Sequence, residues 1–330
     1  MLTFTSKRLM TSSDTITEEK VGFDPNELVA CAKCGRKNAP NRLKCMYCAA
    51  DLEVSADNVK LEHKWLELWE NGQNVICVRR PETIADPAAI AKVAGIDAEF
   101  LEDLLHSKLP LPIIRVATEN EVKLTFERLT GNGIEIEIIG DKSLDAEHPP
   151  KRLRAIEFDE KAIVVILFNA DEIVEIPAEQ IDLIVTGTIF ETEIESTELR
   201  KLRKGELTEQ ISSKSKSSVI DIYAAGEREG YRVYERGFDF SCLRTQKGFL
   251  AGENMRRLAE RLNDAATNTR VETQYDDLRG LLGMVWELEE TQNSGGLQRT
   301  GMGKITITRS TKQNNLMQFT KYSRMLSYLR

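Results

Sequence analysis

From residue 59 to 140 the apolar positions switch repeatedly between the helical period of 3.6 and the strand period of 2. NVKLEHKWLELWENG places Leu61, Trp65, Leu68 and Trp69 on one side of an expected helix that Gly72 would stop. NVICVRR then reads as a strand. DPAAIAKVAG offers Asp86 as an N-cap and Pro87 at the first helical position. GIDAEFLEDLLHS starts a second helix at Asp97, with Phe100, Leu101, Leu104 and Leu105 as its buried side. LPIIRVA is a strand, and Thr118 with Glu121 forms a capping box opening a third helix through Leu129. IEIEII alternates Ile134, Ile136 and Ile138 with glutamates, the pattern of a half-buried strand. The predicted order is β-α-α-β-α-β.

From 152 to 241 the pattern is almost wholly that of short strands: RLRAIEF, AIVVILF, EIVEI, QIDLIVTG, TIFETEIE, SVIDIYA, YRVYE and FDFSC. The intervening stretch 196–217, polar and rich in serine and lysine, reads as a mobile loop. GENMRRLAERLNDA follows as a helix with Met255, Leu258, Ala259 and Leu262 on one face, and YDDLRGLLGMVWELEE adds another carrying Leu278, Leu281, Leu282, Val285 and Trp286. TQNSGGLQRTGMGK reads as a connector. NNLMQFTKYSRMLSYLR reads as a basic amphipathic helix, expected to pack on its own domain ahead of a partner or membrane surface.

These patterns predict a multi-domain α+β chain: an N-terminal ribbon, a small β-α-α-β-α-β domain, and a larger antiparallel β-rich domain with C-terminal helices. The expected divisions are a disordered 1–28, a zinc ribbon at 29–50, an α/β domain at 59–140 and a barrel-like domain with closing helices at 151–290. A flexible linker at 291–313 and the basic helix at 314–330 complete the chain.

The ribbon rests on four of the six cysteines, Cys31, Cys34, Cys45 and Cys48, spaced as CxxC-x10-CxxC. Each CxxC turn sends two thiolates to one side, and four thiolates suit a closed tetrahedral Zn²⁺ site with no place for water. Lys33, Arg36, Lys37, Arg42 and Lys44 favour deprotonated sulfur, and Gly35 suits a tight turn after the first pair. The alternatives are two disulfides or four free thiols. MLTFTSKRLMTSS lacks the apolar core of a secretory signal, and Met10 offers a second start, so the expected compartment is the reducing cytoplasm, where clustered cysteines favour metal. One structural zinc ion is expected.

CAKCGRKNAPNRLKCMYCAADL resembles the short zinc ribbons of many bacterial and archaeal proteins. The resemblance implies that Cys31, Cys34, Cys45 and Cys48 are the ligands and that the module is an adaptor element. Asn38 also resembles the asparagine of Ran-binding-protein-type zinc fingers, which bind RNA or ubiquitin, although LVAC lacks the tryptophan those fingers place before the first cysteine. The 59–140 order is similar to the C-terminal domain of the bacterial ribosomal stalk protein, which recruits translation factors through a basic helix; DPAAIAKVAG carries only Lys92. Many antiparallel strands closed by a helix resemble pleckstrin-homology-like barrels, whose members bind phosphoinositides or peptides.

Charge refines the picture. The 330 residues carry a net charge of −8, distributed as +3 over 1–50, −10 over 51–150 and −1 over 151–330. An acidic body repels polyphosphate, so general coating of nucleic acid is not expected. Apolar runs such as AIVVILF are too short to span a bilayer, and contact with a membrane surface is not expected. His63, His106 and His148 fall in three different elements, and neither a nucleophile elbow nor a dinucleotide fingerprint occurs. GMGK fails the phosphate-loop pattern, because Gln298 stands where its first glycine belongs and Ile305 follows Lys304. Nothing favours catalysis. The expected function is a zinc-binding, non-enzymatic adaptor or scaffold for a protein partner; the alternatives are a ribosome- or RNA-associated protein and an enzyme of unspecified reaction.

Overall fold

In the computed structural model, the described residues are 28–39, 42, 44–50, 52, 63, 65–82, 84, 86–169, 172–201, 206–266, 268–301 and 304–330. The chain divides into two units, Met1–Glu62 and His63–Arg330. The expected disordered segment 1–28 falls almost entirely outside the described residues. In the first unit, Val29–Ala30 (β1) and Lys37–Asn38 (β2) form a two-residue antiparallel ladder.

The second unit, hereafter the body, departs from the helix expected over 58–72, of which 58–62, including Leu61, and 64 lie outside the described residues. Residues 65–72 are not helical, and Trp65 and Trp69 are 53% and 77% exposed while Leu66 is buried. The segment is tied far along the chain: the Arg115 guanidinium donates to the carbonyls of Leu66 and Glu67, both at 3.2 Å, and to that of Glu70. Glu67 O also accepts from the Glu70 amide at 3.0 Å, a single turn that does not continue into a helix.

The next elements match their local signals. Gln73–Arg79 (β3) is followed by Pro87–Ala94 (α1), whose N-cap Asp86 accepts from the Ala89 amide and whose C-cap Gly95 is left-handed. Ala98–His106 (α2) is capped by Asp97 and buries Phe100, Leu101 and Leu104. Leu111–Val116 (β4) leads to Glu119–Thr130 (α3), opened by the Thr118/Glu121 capping box. Glu135–Gly140 (β5) buries Ile136 and Ile139. The three strands form an antiparallel sheet in the order β4-β3-β5.

After a short helix, Asp141–Leu144 (α4), the chain enters a nine-stranded sheet. Its strands are Lys151–Phe158 (β6), Ala162–Leu167 (β7), Ile173–Pro177 (β8), Ile181–Lys201 (β9), Glu206–Ala224 (β10) and Tyr231–Tyr234 (β11). Ala251–Ala265 (α5), Arg270–Glu272 (β12), Tyr275–Gly283 (α6), Glu289–Gly301 (β13), Lys304–Asn314 (β14) and Leu316–Tyr328 (α7) complete it. The order is β13-β14-β9-β10-β11-β6-β7-β8, with β12 paired to β9. The sheet is mixed rather than wholly antiparallel, because β11 runs parallel to β6 and β12 parallel to β9. FDFSC, expected as a strand, is a 3-10 turn over Phe240–Gln246.

The inner halves of β9 and β10 are buried on both faces. Ile184, Ile220 and Ile222 pack with Met255, Leu258 and Leu262 of α5, while Leu183, Val185, Val219 and Tyr223 join the cluster of α6 and α7. That second cluster continues into the three-stranded sheet and α1–α3, so the segments read as separate 59–140 and 151–290 domains share one core. Gly187 sits where α6 and α7 press against the sheet; a Cβ there would lie 2.7 Å from ring carbons of both Phe319 and Tyr275.

In α7, Gln318 through Leu326 are all buried, so the basic helix packs internally. Its anchor is ionic: Arg232 forms a two-pronged bond to Asp221 at 2.6 and 2.7 Å, Ser323 donates to Asp221 at 2.6 Å, and Arg232 reaches Thr320 at 3.0 Å. Burial pulls the Arg232 guanidinium down, but the Asp221 carboxylate overrides it and holds it above its ordinary value.

The outer halves contradict the loop and linker expectations. Residues 196–217 lie in β9 and β10 apart from 202–205, and 291–313 lie in β13 and β14 apart from 302–303; those exceptions are outside the described residues. β9 and β14 pair through eleven residues, Glu191–Lys201 with Asn314–Lys304, a ladder about 35 Å long. No described side chain in 189–197, 211–218, 289–295 or 307–314 is buried. No helix among the described residues is long and apolar enough to cross a membrane.

Candidate metal centre

The cysteine segment is one turn built twice. The Gly35 amide donates to the Cys31 carbonyl at 2.7 Å, and the Ala49 amide donates to the Cys45 carbonyl at 2.9 Å. The Cys31 amide then donates to Arg36 O at 3.0 Å, and the Cys45 amide to Ala50 O at 2.8 Å. Closing each turn requires a left-handed residue in fifth place, and φ is +71° at Gly35 and +56° at Ala49. Glycine adopts that region freely, whereas for alanine it costs about 1–2 kcal/mol.

Asn38 ties the two turns together. It is 2% exposed; its amide nitrogen donates to Arg36 O at 2.8 Å and lies 3.5 Å from the Cys45 sulfur, while its oxygen accepts from the Met46 amide at 3.0 Å. Little else is buried: the apolar cluster is Cys31, Cys45 and Leu52, with Cys48 and Ala50 against it.

The four sulfurs of Cys31, Cys34, Cys45 and Cys48 lie within 4.8 Å of one another. Cys31 and Cys48 are 3.7 Å apart, and Cys34 and Cys45 are 3.5 Å apart. A tetrahedral ion with metal–sulfur bonds of about 2.3 Å requires edges of about 3.8 Å, so the donor set fits four-coordinate binding. These separations are far from a disulfide bond of about 2.05 Å, and all four thiols are free.

Their acidities differ by position. Burial pushes the Cys45 thiol up, but the amides of Tyr47 and Cys48, with Cys34 and Asn38, overcome it and hold the group at about 6. The Arg36 amide pulls Cys34 down, whereas burial and the thiols of Cys45, Cys48 and Cys31 push it up to about 12. Cys45 therefore ionises readily and Cys34 resists, the response of crowded like charges. A divalent cation removes that resistance by supplying the opposite charge.

The tip of the second turn faces outward: Met46 is 59% exposed and Tyr47 is 50% exposed. The Arg36 guanidinium stacks 4.6 Å from the centre of the Tyr47 ring.

The histidines form no comparable group. His63 Nε2 lies 2.8 Å from Ala94 O, His106 Nδ1 lies 2.7 Å from Glu102 O, and His148 pairs with Asp145 at 2.7 Å. The body holds a polar cavity of about 310 Å³ beside Lys321, whose buried ammonium lies 3.9 Å from Asp141. Asp141 is already bound by the Gly72 amide at 2.7 Å, Asn74 at 3.0 Å and Arg115 at 2.8 Å. Two features of the centre escape residue-type reasoning. Ala49 carries no signal of a left-handed backbone except its alignment with Gly35, and Asn38 shows its linking role only once both turns are in place. Comparison with known proteins returns no family model, no curated protein and no solved structure that matches the chain.

Proposed function

We propose that the chain is a zinc-binding, non-enzymatic adaptor acting in the cytoplasm. Cys31, Cys34, Cys45 and Cys48 hold one structural Zn²⁺, and the tip of the second turn meets a protein partner. The observation that carries this reading is the exposure of Met46 and Tyr47, with Arg36 on the Tyr47 ring, at the end of a rigid closed turn. Methionine, tyrosine and arginine are the residue types enriched at protein interfaces, and a four-sulfur site leaves no coordination position for chemistry. The test is capture of partners from native lysate by wild type, Cys45→Ser and Tyr47→Ala, each with and without nuclease. A discrete protein lost in both variants and indifferent to nuclease is the expected result. Partners kept by both variants would remove the ribbon from the interface and end the adaptor reading.

One observation favours a second reading, association with RNA or the ribosome. Residues 31–48 carry five basic side chains and no acidic one, beside an exposed aromatic ring on which a base could stack. Ribosomal proteins that disappear with nuclease in the same experiment would select it.

A further inference from the structure

The outer sheet has two open edges. β10 pairs with β11 only through Val219–Ile222, so among the described residues no strand covers the outer side of β10 from 206 to 217. β13 ends the sheet, and among the described residues no strand covers its outer side. Extended open edges are templates for another strand, and proteins ordinarily guard them with lysine, proline or a bulge. The β10 edge carries Lys214 and Lys216, both exposed, which looks like such a guard. The β13 edge carries Glu289 and Glu290 instead.

Strand direction and register make these edges complementary. β9 and β13 run outward, and β10 and β14 run back. Two copies standing side by side with their sheets pointing the same way would therefore set β10 of one antiparallel to β13 of the other. Lys214 lies level with Thr192 and Ser212 with Ile194 on β9, while Glu290 and Gln292 reach those same levels through Gln313 and Thr311 of β14. Aligned copies thus place Lys214 opposite Glu290 on the same face. A slip of two residues, which keeps the faces unchanged, brings Lys216 opposite Glu290 instead. Opposite charges directly across a strand pair stabilise it and like charges oppose it. A two-fold β10–β10 or β13–β13 contact would join one kind of edge and leave the other open, whereas the head-to-tail contact uses both edges of every copy.

We propose that the open edges of this sheet are a self-association surface, on which β10 of one chain pairs with β13 of a second copy to continue an antiparallel sheet. The contact is head-to-tail, so successive copies build a ring if the rotation closes and a filament if it does not. No described side chain of the outer strands is buried in the single chain, consistent with an arm whose packing partner is another arm.

The test combines mass with charge reversal on the full, zinc-loaded chain. Sedimentation velocity over a wide concentration range should show species larger than a dimer. Lys214→Glu with Lys216→Glu should weaken association about tenfold, as should Glu290→Lys with Glu289→Lys. Combining all four substitutions in one chain should restore it, which separates a charge effect from misfolding. A second variant carries Ser212→Cys and Gln292→Cys. Within one chain these positions are three strand spacings apart, about 14 Å, beyond the reach of a disulfide. Oxidation should give a ladder of covalent multimers that neither single-cysteine variant produces. A monomer at every concentration, a ladder that stops at two, or failure of the four-fold swap to restore association would overturn the proposal.

Discussion

The ribbon buries Cys31, Cys45 and Leu52, whereas the body buries aromatic and aliphatic side chains on both faces of β9 and β10 and a full ion pair of Asp221 on β10 with Arg232 on β11, hydrogen-bonded to α7. In the ribbon, a few backbone hydrogen bonds and one asparagine position four sulfurs, and under the proposed function a bound ion supplies the cohesion. In the body, the apolar clusters supply cohesion and the charged network selects where α7 docks. A segment with too little apolar surface can still be specific if its donors converge. A segment with ample apolar surface still uses polar groups to choose one packing among several.

The largest effect that separates the two regions is chelation. Stripping metal from the chain should abolish the slow amide exchange of 29–50 while the body's far-ultraviolet signal and melting transition stay in place. Loss of the body's transition on chelation would show that the two regions are not independent. Next in size is Asp221→Ala, which leaves Arg232 buried without its partner; urea denaturation should show the body destabilised by about 3–5 kcal/mol, with zinc stoichiometry unchanged.

Lys321→Met should act in the other direction. Burial pulls the Lys321 ammonium below its ordinary value, so the protonated group costs the folded state at neutral pH. Because the folded value is the lower one, that cost is fully present at pH below it and fades as pH rises toward the ordinary 10.5. The variant should therefore gain about 1 kcal/mol at neutral pH, and its advantage over wild type should shrink in alkaline urea titrations. The smallest effect belongs to the ribbon: Ala49→Gly relieves a left-handed alanine and should tighten zinc binding about fivefold, measured by competition with a chromogenic chelator. Unchanged or weaker binding would mean that the turn is not strained at that position.

Legibility in the sequence followed the range of the determining interaction. The ribbon and the helices capped by Asp86, Asp97 and Thr118 are set by contacts between residues close in sequence, and their residue types announced them. The segment 65–72 misled because Trp65, Leu68 and Trp69 have helical spacing, while the residue that ties it down, Arg115, lies 45 to 49 positions away. The outer strands misled for a different reason. Strand recognition depends on one dry face, and Glu191 through Thr197 have none; their ladders come from the neighbouring β10 and from β14, more than a hundred residues later. At the metal centre the spacing of the four cysteines was sufficient, but the exposure of Met46 and Tyr47 required the turn to be built.

The pairing of Asp221 with Ser323 spans 102 residues. During synthesis the strands carrying Asp221 and Arg232 leave the ribosome long before α7 exists to cover them. For that interval a charged pair and the apolar face around Val185, Val219 and Tyr223 stand in water without their lid. Under the proposed function the ribbon could take a metal ion as soon as Cys48 emerges, whereas the body must wait for Leu326. One chain therefore matures on two clocks, and the later interval is when its open apolar sheet is most exposed to aggregation.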